Sequence, residues 1–288
     1  MIGDFVEGLF PEIKEGEPLR TVRAKNRSPM TLDGTRTYVV GRARPAVIDP
    51  GPGDPAHLEA IVAALGGARP VAILLTHSHA DHAAAALPLA ERTGAPVMMA
   101  QGALSPPFPP ERVGRWLADG DTVDTDVGTL KAVATPGHAP EHLCFLWTGG
   151  EAPAGGALFV GDHLMGQGDT TLVAPPEGDL GVYLDSLNRI DELEPAVLYP
   201  AHGPEILNPS VTIERYREHR EERIEQVVRA LRRAGPSRPG QIVDTVYGSG
   251  LDPALREAAE ASLGAILGFL SATGDVREDP DGAYALVE

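Results

Sequence analysis

The stretch VAILLTHSHADH occupies residues 71–82 and holds the densest group of potential metal ligands in the chain. A short apolar run that ends in polar residues is typical of a buried strand followed by a loop. Because side chains alternate along an extended chain, His77 and His79 are expected to point to the same side. Asp81 and His82 stand where the next helix begins, so the turning backbone aims them from another direction. This segment therefore offers two ligands to each of two neighbouring cations.

Three further potential ligands follow later strand-like runs: His138 in TPGH, Asp162 in FVGD and His202 in YPAHG. The complete set has five imidazoles and two carboxylates. This composition suits a pair of divalent ions, with zinc as the simplest choice and iron or manganese as alternatives. A single histidine is usually an ordinary core or surface residue, whereas HxHxDH after a strand with three more ligands is specific for a metal site.

The segments around this stretch alternate between apolar runs and helical patterns. Residues 37–50 (TYVVGRARPAVIDP) read as strand, turn and strand, and residues 57–67 (HLEAIVAALGG) as an amphipathic helix closed by glycine. A helix at 83–94 and a strand at 95–100 continue the alternation. The pattern predicts an α/β layered fold.

The sequence changes character after Gly203. Residues 211–234 are predicted to form a long helix in which glutamate and arginine alternate, and two shorter helical segments follow. Residues 274–288 are predicted to form a two-stranded hairpin. Three helices and a hairpin suggest a winged-helix module. We therefore predict a catalytic domain at residues 1–208 and a winged-helix-like domain at residues 209–288.

The composition of the 288 residues is that of a globular protein, with 42% hydrophobic and 23% charged residues. No run approaches about 20 apolar residues, so no membrane association is expected. Lysine and arginine number 24 against 41 acids, and the net charge of −17 argues against avid nucleic-acid binding. Residues 255–288 contain Arg256 and Arg277 against seven acids, so duplex DNA is not an expected partner. The single cysteine, Cys144, and the lack of a basic segment at the start favour a cytoplasmic location.

The ligand motifs resemble those of the metallo-β-lactamase superfamily, which also matches Asp49 in VIDPGPG. The resemblance implies an αββα sandwich with a dinuclear site at one edge. It implies one ion held by three histidines, a second held by an aspartate and two histidines, and an aspartate that bridges both. By this resemblance, His77, His79 and His138 hold the first ion. Asp81, His82 and His202 hold the second, and Asp162 bridges the two. Asp49 is then expected to orient a ligand, and His142 to support the site from behind.

Longer segments resemble the β-lactamase-like endoribonucleases, and this match covers essentially the whole chain. The segments are residues 26–41 (NRSPMTLDGTRTYVVG), TPGHAPEH, YLDSLNRI and HGPEILNPSVTIERYREHREERI. The resemblance implies cleavage of phosphodiester bonds in single-stranded RNA and a C-terminal winged helix. Arg27 and Arg36 stand where the group pattern has proline and asparagine. We predict that these two arginines contact an anionic part of the substrate.

The predicted mechanism uses a hydroxide shared by the two metal ions. Asp81 is a candidate acceptor for the proton of the attacking water, and His163 is a candidate proton donor to the leaving group. His163 has the alternative interpretation of a residue that only supports the site. On the long helix, Tyr216, His219 and Arg220 are candidate substrate contacts at the mouth of the pocket, or else part of a solvated helix surface.

The same ligand set is compatible with other functions. The first alternative is hydrolysis of a small-molecule carbonyl ester, by a thioesterase resembling hydroxyacylglutathione hydrolase or by a lactonase. A β-lactamase is disfavoured because the expected bridge is an aspartate and no cysteine is a ligand. Another alternative is an iron-dependent persulfide dioxygenase, which would hold one iron per chain. A binding protein with an inactive site is a further alternative, and the complete ligand set disfavours it. The oligomeric state stays open, with a dimer as one alternative.

Overall fold

The computed structural model describes residues 16–102 and 108–287, and its first β-sheet has six strands that are neighbours in chain order. They are β1 (Leu19–Arg23), β2 (Arg36–Val40), β3 (Ala46–Ile48), β4 (Ala72–Leu74), β5 (Val97–Met99) and β6 (Arg115–Trp116). Strands β1 to β3 pair antiparallel, and β3 to β6 pair parallel. The predicted strand, turn and strand of residues 37–50 is the pair β2 and β3.

Helices cover the outer face of this sheet because parallel strands need a crossover connection. They are α1 (Pro55–Leu65), the single turn α2 (Ala80–Ala83) and α3 (Ala86–Thr93). Ile61 of α1 and Leu89 of α3 pack in one buried cluster with Val47 and Ile73 of the sheet. A short 3-10 turn at Pro110–Arg112 precedes β6.

The second sheet has five strands in the order β11-β10-β9-β8-β7. They are β7 (Thr122–Thr125), β8 (Gly128–Ala134), β9 (Leu143–Thr148), β10 (Ala157–Gly161) and β11 (Val197–Pro200). Helix α4 (Leu180–Glu192) joins the parallel pair β10 and β11 and packs on the outer face of the sheet.

A buried aromatic group holds the two sheets face to face. The ring centroid of Tyr38 in the first sheet lies 5.0 Å from that of Phe159 and 5.6 Å from that of Tyr199 in the second. Leu74 and Phe145 belong to the same cluster between the sheets. With helices on both outer faces, this arrangement confirms the predicted αββα sandwich.

The C-terminal part contains three helices and a two-stranded ribbon, in the predicted order. They are α5 (Pro209–Ala234), α6 (Pro239–Tyr247), α7 (Arg256–Ala272), β12 (Val276–Glu278) and β13 (Tyr284–Leu286), with a 3-10 turn at Pro253–Leu255. The hydrophobic core runs across residue 208, because Leu187 of α4 and Leu263 and Leu267 of α7 share one cluster. The winged-helix assignment and the domain boundary stay predictions.

None of the helices in the described part of the chain has the length and apolar character that a membrane span requires.

Candidate metal centre

Five of the predicted metal ligands lie in loops that follow strands, and the other two, Asp81 and His82, lie on the single turn α2 at the same edge of the sandwich. Asp162 directly follows β10, and His202 lies two residues after the end of β11. The structure brings the ligands together in two groups, and within each group the ligand atoms lie within 4.8 Å of one another. The groups are His77, His79, His138 and Asp162, and Asp81, His82 and His202.

The three histidines of the first group each turn one ring nitrogen toward a common point. His79 Nδ1 lies 2.9 Å from His77 Nε2 and 3.1 Å from His138 Nε2. The other nitrogen of two of these rings donates a hydrogen bond, from His79 Nε2 to Glu177 Oε2 at 2.7 Å and from His138 Nδ1 to the carbonyl of Leu172 at 2.7 Å. A neutral imidazole has one donor nitrogen and one acceptor nitrogen, so the nitrogens that face one another carry lone pairs. Such an arrangement is favourable when a cation lies between them.

The second group meets the first at Asp162. Asp162 Oδ1 lies 3.3 Å from His82 Nε2 and 3.1 Å from His202 Nε2. His202 Nε2 also lies 3.2 Å from Asp81 Oδ2. The other oxygen, Asp162 Oδ2, lies 3.7 Å from His138 Nε2 of the first group. Asp162 therefore presents one oxygen to each group, as a bridging carboxylate must.

The spacing of these atoms fits metal ions. A tetrahedral zinc ion with ligands at about 2.0–2.1 Å holds those ligands roughly 3.3 Å apart. Asp162 Oδ1 and the Nε2 atoms of His82 and His202 are buried and have no hydrogen-bond partner among the residues that the structure describes. Unsatisfied buried polar atoms are costly, and coordination to divalent ions would satisfy all three. The residues present therefore fit the predicted ions.

The charge of the second group also favours a cation. Burial lowers the pKa of His202, but the carboxylates of Asp162 and Asp81 outweigh it and raise that pKa to about 9. His82 behaves in the same way: burial opposes protonation, yet the surrounding carboxylates hold its pKa well above the usual range. In the first group, burial followed by His82 and His138 lowers the pKa of His77. Burial is also the main cause that lowers the pKa of His138. The second group thus attracts positive charge, while His77 and His138 of the first supply neutral imidazole.

Asp49 is buried beside both groups and is only 2% exposed. Its carboxylate accepts hydrogen bonds from the backbone N–H and the hydroxyl of Thr76 at 2.8 and 2.7 Å, and from His82 Nδ1 at 2.9 Å. Thr76 Oγ1 lies 3.0 Å from His77 Nδ1, so the hydroxyl accepts a bond from that ring. One buried carboxylate is therefore linked to a histidine of each group, which is the position that the predicted orienting role requires.

Comparison with known proteins identifies the family. A model of the metallo-beta-lactamase superfamily matches residues 30–202. The chain belongs to this superfamily. The lactamase-like protein adaB of Aspergillus niger is 31% identical in an alignment that covers 90% of this chain and 82% of that protein. An atrochrysone carboxyl ACP thioesterase of Aspergillus chevalieri is 30% identical in an alignment that covers 92% of this chain and 84% of the thioesterase.

A solved structure shows the same fold. A metallo-beta-lactamase family protein from Thermus thermophilus matches with a TM-score of 0.76 and 23% identity, covering 94% of this chain and 99% of that one. The family match and the curated relatives confirm the predicted enzyme class, a hydrolase of the metallo-β-lactamase superfamily.

Two acidic residues of this metallo-β-lactamase site were missed in the sequence. Glu177 accepts the bond from His79 described above, and Glu141 Oε1 accepts bonds from the N–H and the hydroxyl of Ser78 at 3.0 and 2.8 Å. Glu141 stands within the HAPEH motif next to His142, so its position in the sequence could have indicated a role at the site. Glu177 gave no such signal, because it lies 98 residues from His79 in sequence.

The predicted supporting histidine and the predicted proton donor are both buried. His142 is 1% exposed, and its Nδ1 lies 2.9 Å from Thr135 Oγ1. His163 is fully buried, its ring stacks on Tyr183 at 4.4 Å, and it is not part of the cavity wall. Burial, followed by the neighbouring His138, lowers the pKa of His163 to about 3. The structure therefore favours the alternative interpretation of His163 as a supporting residue, not a proton donor.

The predicted substrate contacts separate into two sets. Arg36 is 4% exposed and forms two hydrogen bonds of 2.8 Å with Asp33, and the exposed Arg27 lines a separate depression beside the same aspartate. Tyr216 is fully buried, and its hydroxyl accepts a bond from the N–H of Met165 at 2.8 Å. None of these three residues lies on the wall of the cavity beside the metal ligands, so the contacts predicted for them are not supported by the geometry. The wall does include His219 and Arg220.

The cavity next to the ligands has a volume of about 410 Å³. It begins at four of the predicted ligands and extends between α5 and the helices that follow it. Its apolar lining comes from Met30, Met165, Leu172, Leu251, Leu255, Ala258, Ala259 and Ile266. A cavity of this size accommodates a ligand of the size of a typical drug. The C-terminal helices therefore form part of the space in which a substrate would lie.

Proposed function

We propose that the protein is a thioesterase, which hydrolyses the thioester of a bulky, largely apolar acyl group at a site with two zinc ions. The observation that carries this proposal is the apolar cavity that opens directly on the metal ligands. A cytoplasmic setting, in which the buried Cys144 stays a thiol, is part of the proposal.

The lining of the cavity favours an acyl group over RNA. A single-stranded RNA substrate needs a basic groove and stacking surfaces along several nucleotides. Here eight residues of the wall beyond the ligands are leucine, alanine, isoleucine or methionine, and its basic residues, His219, Arg220 and Arg223, all lie within one turn or so of α5. The net charge of −17 adds repulsion toward a polyanion. The carbonyl-ester alternative therefore has more support than the endoribonuclease function.

The names of the relatives point the same way. A curated relative that aligns with 92% of this chain is named as an atrochrysone carboxyl ACP thioesterase. Another, 34% identical over 214 residues, covers 72% of this chain and 58% of the relative and is named as a thioesterase. Both names support hydrolysis of a thioester bond.

The chemistry fits the residues around the cavity. Two bound divalent ions would polarise the thioester carbonyl and lower the pKa of water at the site. The Asp81 carboxylate lines the cavity. Burial raises its pKa, but His82 and His202 together lower it by more, so the net pKa is below the usual value. The group is therefore ionised and able to accept a proton. A thiolate leaves readily because thiols have a pKa of about 8.5. The buried, neutral His163 is therefore not needed as an acid for this leaving group.

A substrate panel tests the proposal. The protein loaded with zinc would be offered an aryl thioester, a lactone, a cephalosporin, bis-p-nitrophenyl phosphate and single-stranded RNA. We expect the thioester to be hydrolysed with the highest kcat/KM, measured by release of free thiol. Asp81→Asn should lose most of this activity, while Asp185→Asn, an exposed carboxylate on α4, should keep it. Faster cleavage of RNA or of the phosphodiester would overturn the proposal.

A further inference from the structure

Two arginines of α5 line the cavity without an acidic partner. Arg220 is 4% exposed and Arg223 is half-buried. In residues 16–102 and 108–287, the ion pairs of α5 are made by Arg215, Arg217 and Arg229 and not by these two. A buried cation without a counter-ion is unfavourable, so an anion that binds beside it is stabilised by the missing charge pairing.

Both guanidinium groups are held in fixed orientations. Arg220 donates to the carbonyl of Thr171 at 2.6 Å, and its guanidinium carbon lies 5.0 Å from the ring centroid of Tyr183. The guanidinium carbon of Arg223 lies 4.5 Å from the ring centroid of Tyr247. The Nε atom of each arginine is buried and has no acceptor among the residues that the structure describes. Arg223 Nη1 also donates to Gln226 Oε1 at 2.6 Å and to the carbonyl of Val246 at 3.2 Å. The donors left for a ligand are the other terminal nitrogens, Nη1 of Arg220 and Nη2 of Arg223, which make no hydrogen bond within the described residues.

The pair lies beside the predicted reaction centre. Arg220 bonds to the carbonyl of Thr171, and the next carbonyl, of Leu172, accepts the bond from the metal ligand His138. Thr171 and Leu172 are consecutive residues, so the two bonded carbonyls belong to neighbouring peptide units, whose Cα atoms are about 3.8 Å apart. Arg220 and Arg223 are three residues apart and therefore lie on the same face of α5.

We propose that Arg220 and Arg223 form a carboxylate-binding subsite that takes a carboxylate carried by the acyl group of the substrate. The proposal rests on the thioesterase function proposed above. The apolar wall of Leu251, Leu255 and Ile266 holds the hydrocarbon part, and the two arginines hold the acid. Charge-assisted hydrogen bonds from arginine suit a carboxylate well. The preferred substrates are bulky acyl thioesters with a second, free carboxylate, and not simple apolar acyl thioesters.

Two matched thioesters test the subsite. Naphthoyl and carboxynaphthoyl thioesters of N-acetylcysteamine differ only by the free carboxylate. We expect the wild type to prefer the carboxynaphthoyl compound by about 10- to 100-fold in kcat/KM, since a hydrogen bond to a charged group contributes that much. In Arg220→Met and in Arg223→Met this ratio should fall toward one. Arg229→Met, an exposed arginine of the same helix, should leave both the activity and the ratio unchanged.

The ratio separates a binding role from a structural role. If Arg220 only held the Thr171 loop, Arg220→Met would slow both thioesters equally and leave the ratio intact. That result, or a wild-type ratio near one, would overturn the subsite. Arg223→Met gives a second measurement if Arg220→Met does not fold. The alternative is that the two arginines bind a phosphate on the leaving group, and naphthoyl pantetheine and its phosphorylated form test it. If the wild type prefers the phosphorylated compound and both arginine variants lose this preference, the assignment to the acyl group is overturned.

Binding without turnover distinguishes the two proposals. Calorimetry would compare naphthalene dicarboxylate with naphthalene monocarboxylate on the zinc-loaded protein. We expect tighter binding of the dicarboxylate in the wild type and loss of this difference in both arginine variants. If no thioester is hydrolysed but this difference is present, the thioesterase function fails and the subsite stands. If thioesters are hydrolysed without any carboxylate preference, the subsite fails and the thioesterase function stands.

Discussion

Glu177 Oε2 accepts a hydrogen bond of 2.7 Å from His79 Nε2, although the two residues are 98 positions apart in sequence. The bond fixes the ring so that Nδ1 faces His77 and His138. His77 and His138 present Nε2 to the same point. The acidic loop before α4 therefore decides which nitrogen of His79 is free to bind a metal ion.

Removal of Glu177 should weaken the first metal site. Residues that orient a metal ligand typically contribute about 10–100-fold to metal affinity. We expect Glu177→Ala to lose affinity in this range, and Glu177→Gln to lose less because its amide oxygen still accepts the bond. Titration of the metal-free protein with Zn²⁺ measures this effect, with Glu192→Ala as a control at an exposed position of α4. Equal affinities for Glu177→Ala and Glu192→Ala would contradict the orienting role.

Asp49→Asn should disturb both metal sites, because Asp49 is linked to His82 directly and to His77 through Thr76. An asparagine has one acceptor oxygen in place of two, so one of these bonds is lost. We expect a decrease in Zn²⁺ affinity of about 10–100-fold and a lower metal content after dialysis. A metal content equal to that of the wild type after the same dialysis would show that Asp49 is dispensable.

The bridging position of Asp162 predicts a difference between two variants. In Asp162→Ala both sites lose an oxygen ligand, whereas in His202→Ala only the second site loses a ligand. Elemental analysis of fully reloaded protein should give close to two zinc ions for the wild type, about one for His202→Ala and less than one for Asp162→Ala. Equal loss of both ions in His202→Ala would reject the assignment of that histidine to the second site.

Gly137, next to the ligand His138, should not tolerate a side chain. Its φ is +126°, and a Cβ atom there would lie 2.4 Å from the Cα of Tyr183. We expect Gly137→Ala to lower the free energy of unfolding by about 3 kcal/mol or more, through backbone strain and overlap. Gly268 in α7 is exposed with open space around it, so Gly268→Ala should raise stability by about 0.5–1 kcal/mol. Urea unfolding of both variants checks this pair, and similar values for the two would contradict it.

The ion pairs of Asp33 predict a pH dependence of stability. Burial raises the pKa of Asp33, but hydrogen bonds from Arg36 and Arg23 outweigh it and lower that pKa to about 2. The ordinary pKa is about 3.9, so the stabilisation is fully present above pH 4 and is lost as the pH falls through about 2. Because the side chain is 31% exposed, the contribution at neutral pH is about 1–2 kcal/mol.

Asp33→Asn should therefore be less stable than the wild type at pH 7 by about 1–2 kcal/mol, and this difference should shrink as the pH falls below 4. Urea unfolding at pH 7, pH 5 and pH 3 measures the change. A difference that stays constant over this range would show that the carboxylate charge of Asp33 does not stabilise the fold.

The residue pattern by itself predicted an α/β layered fold and ligands for two cations, whereas the αββα sandwich and the assignment of each ligand to one ion came from the resemblance to the metallo-β-lactamase superfamily. Alternating apolar runs and helical patterns between residues 37 and 100 are local, and they lead directly to β2, β3, α1 and the parallel strands. The HxHxDH spacing is local as well, because an extended stretch followed by a helical turn fixes the directions of His77, His79, Asp81 and His82. The residue types alone indicated a cation, since converging imidazoles and carboxylates are favourable only around one.

Only the tertiary structure decided which other residues serve the site. Burial and hydrogen-bond partners depend on contacts between distant segments, so the sequence did not reveal that Arg36 pairs with Asp33 or that His163 is packed against Tyr183. The same holds for the substrate space, because α5 and α7 reach the ligand edge only through their packing on α4. The apolar wall of the cavity is the structural feature that supports the proposed acyl thioester over RNA, since desolvation and shape, unlike ligand spacing, exist only in the folded chain.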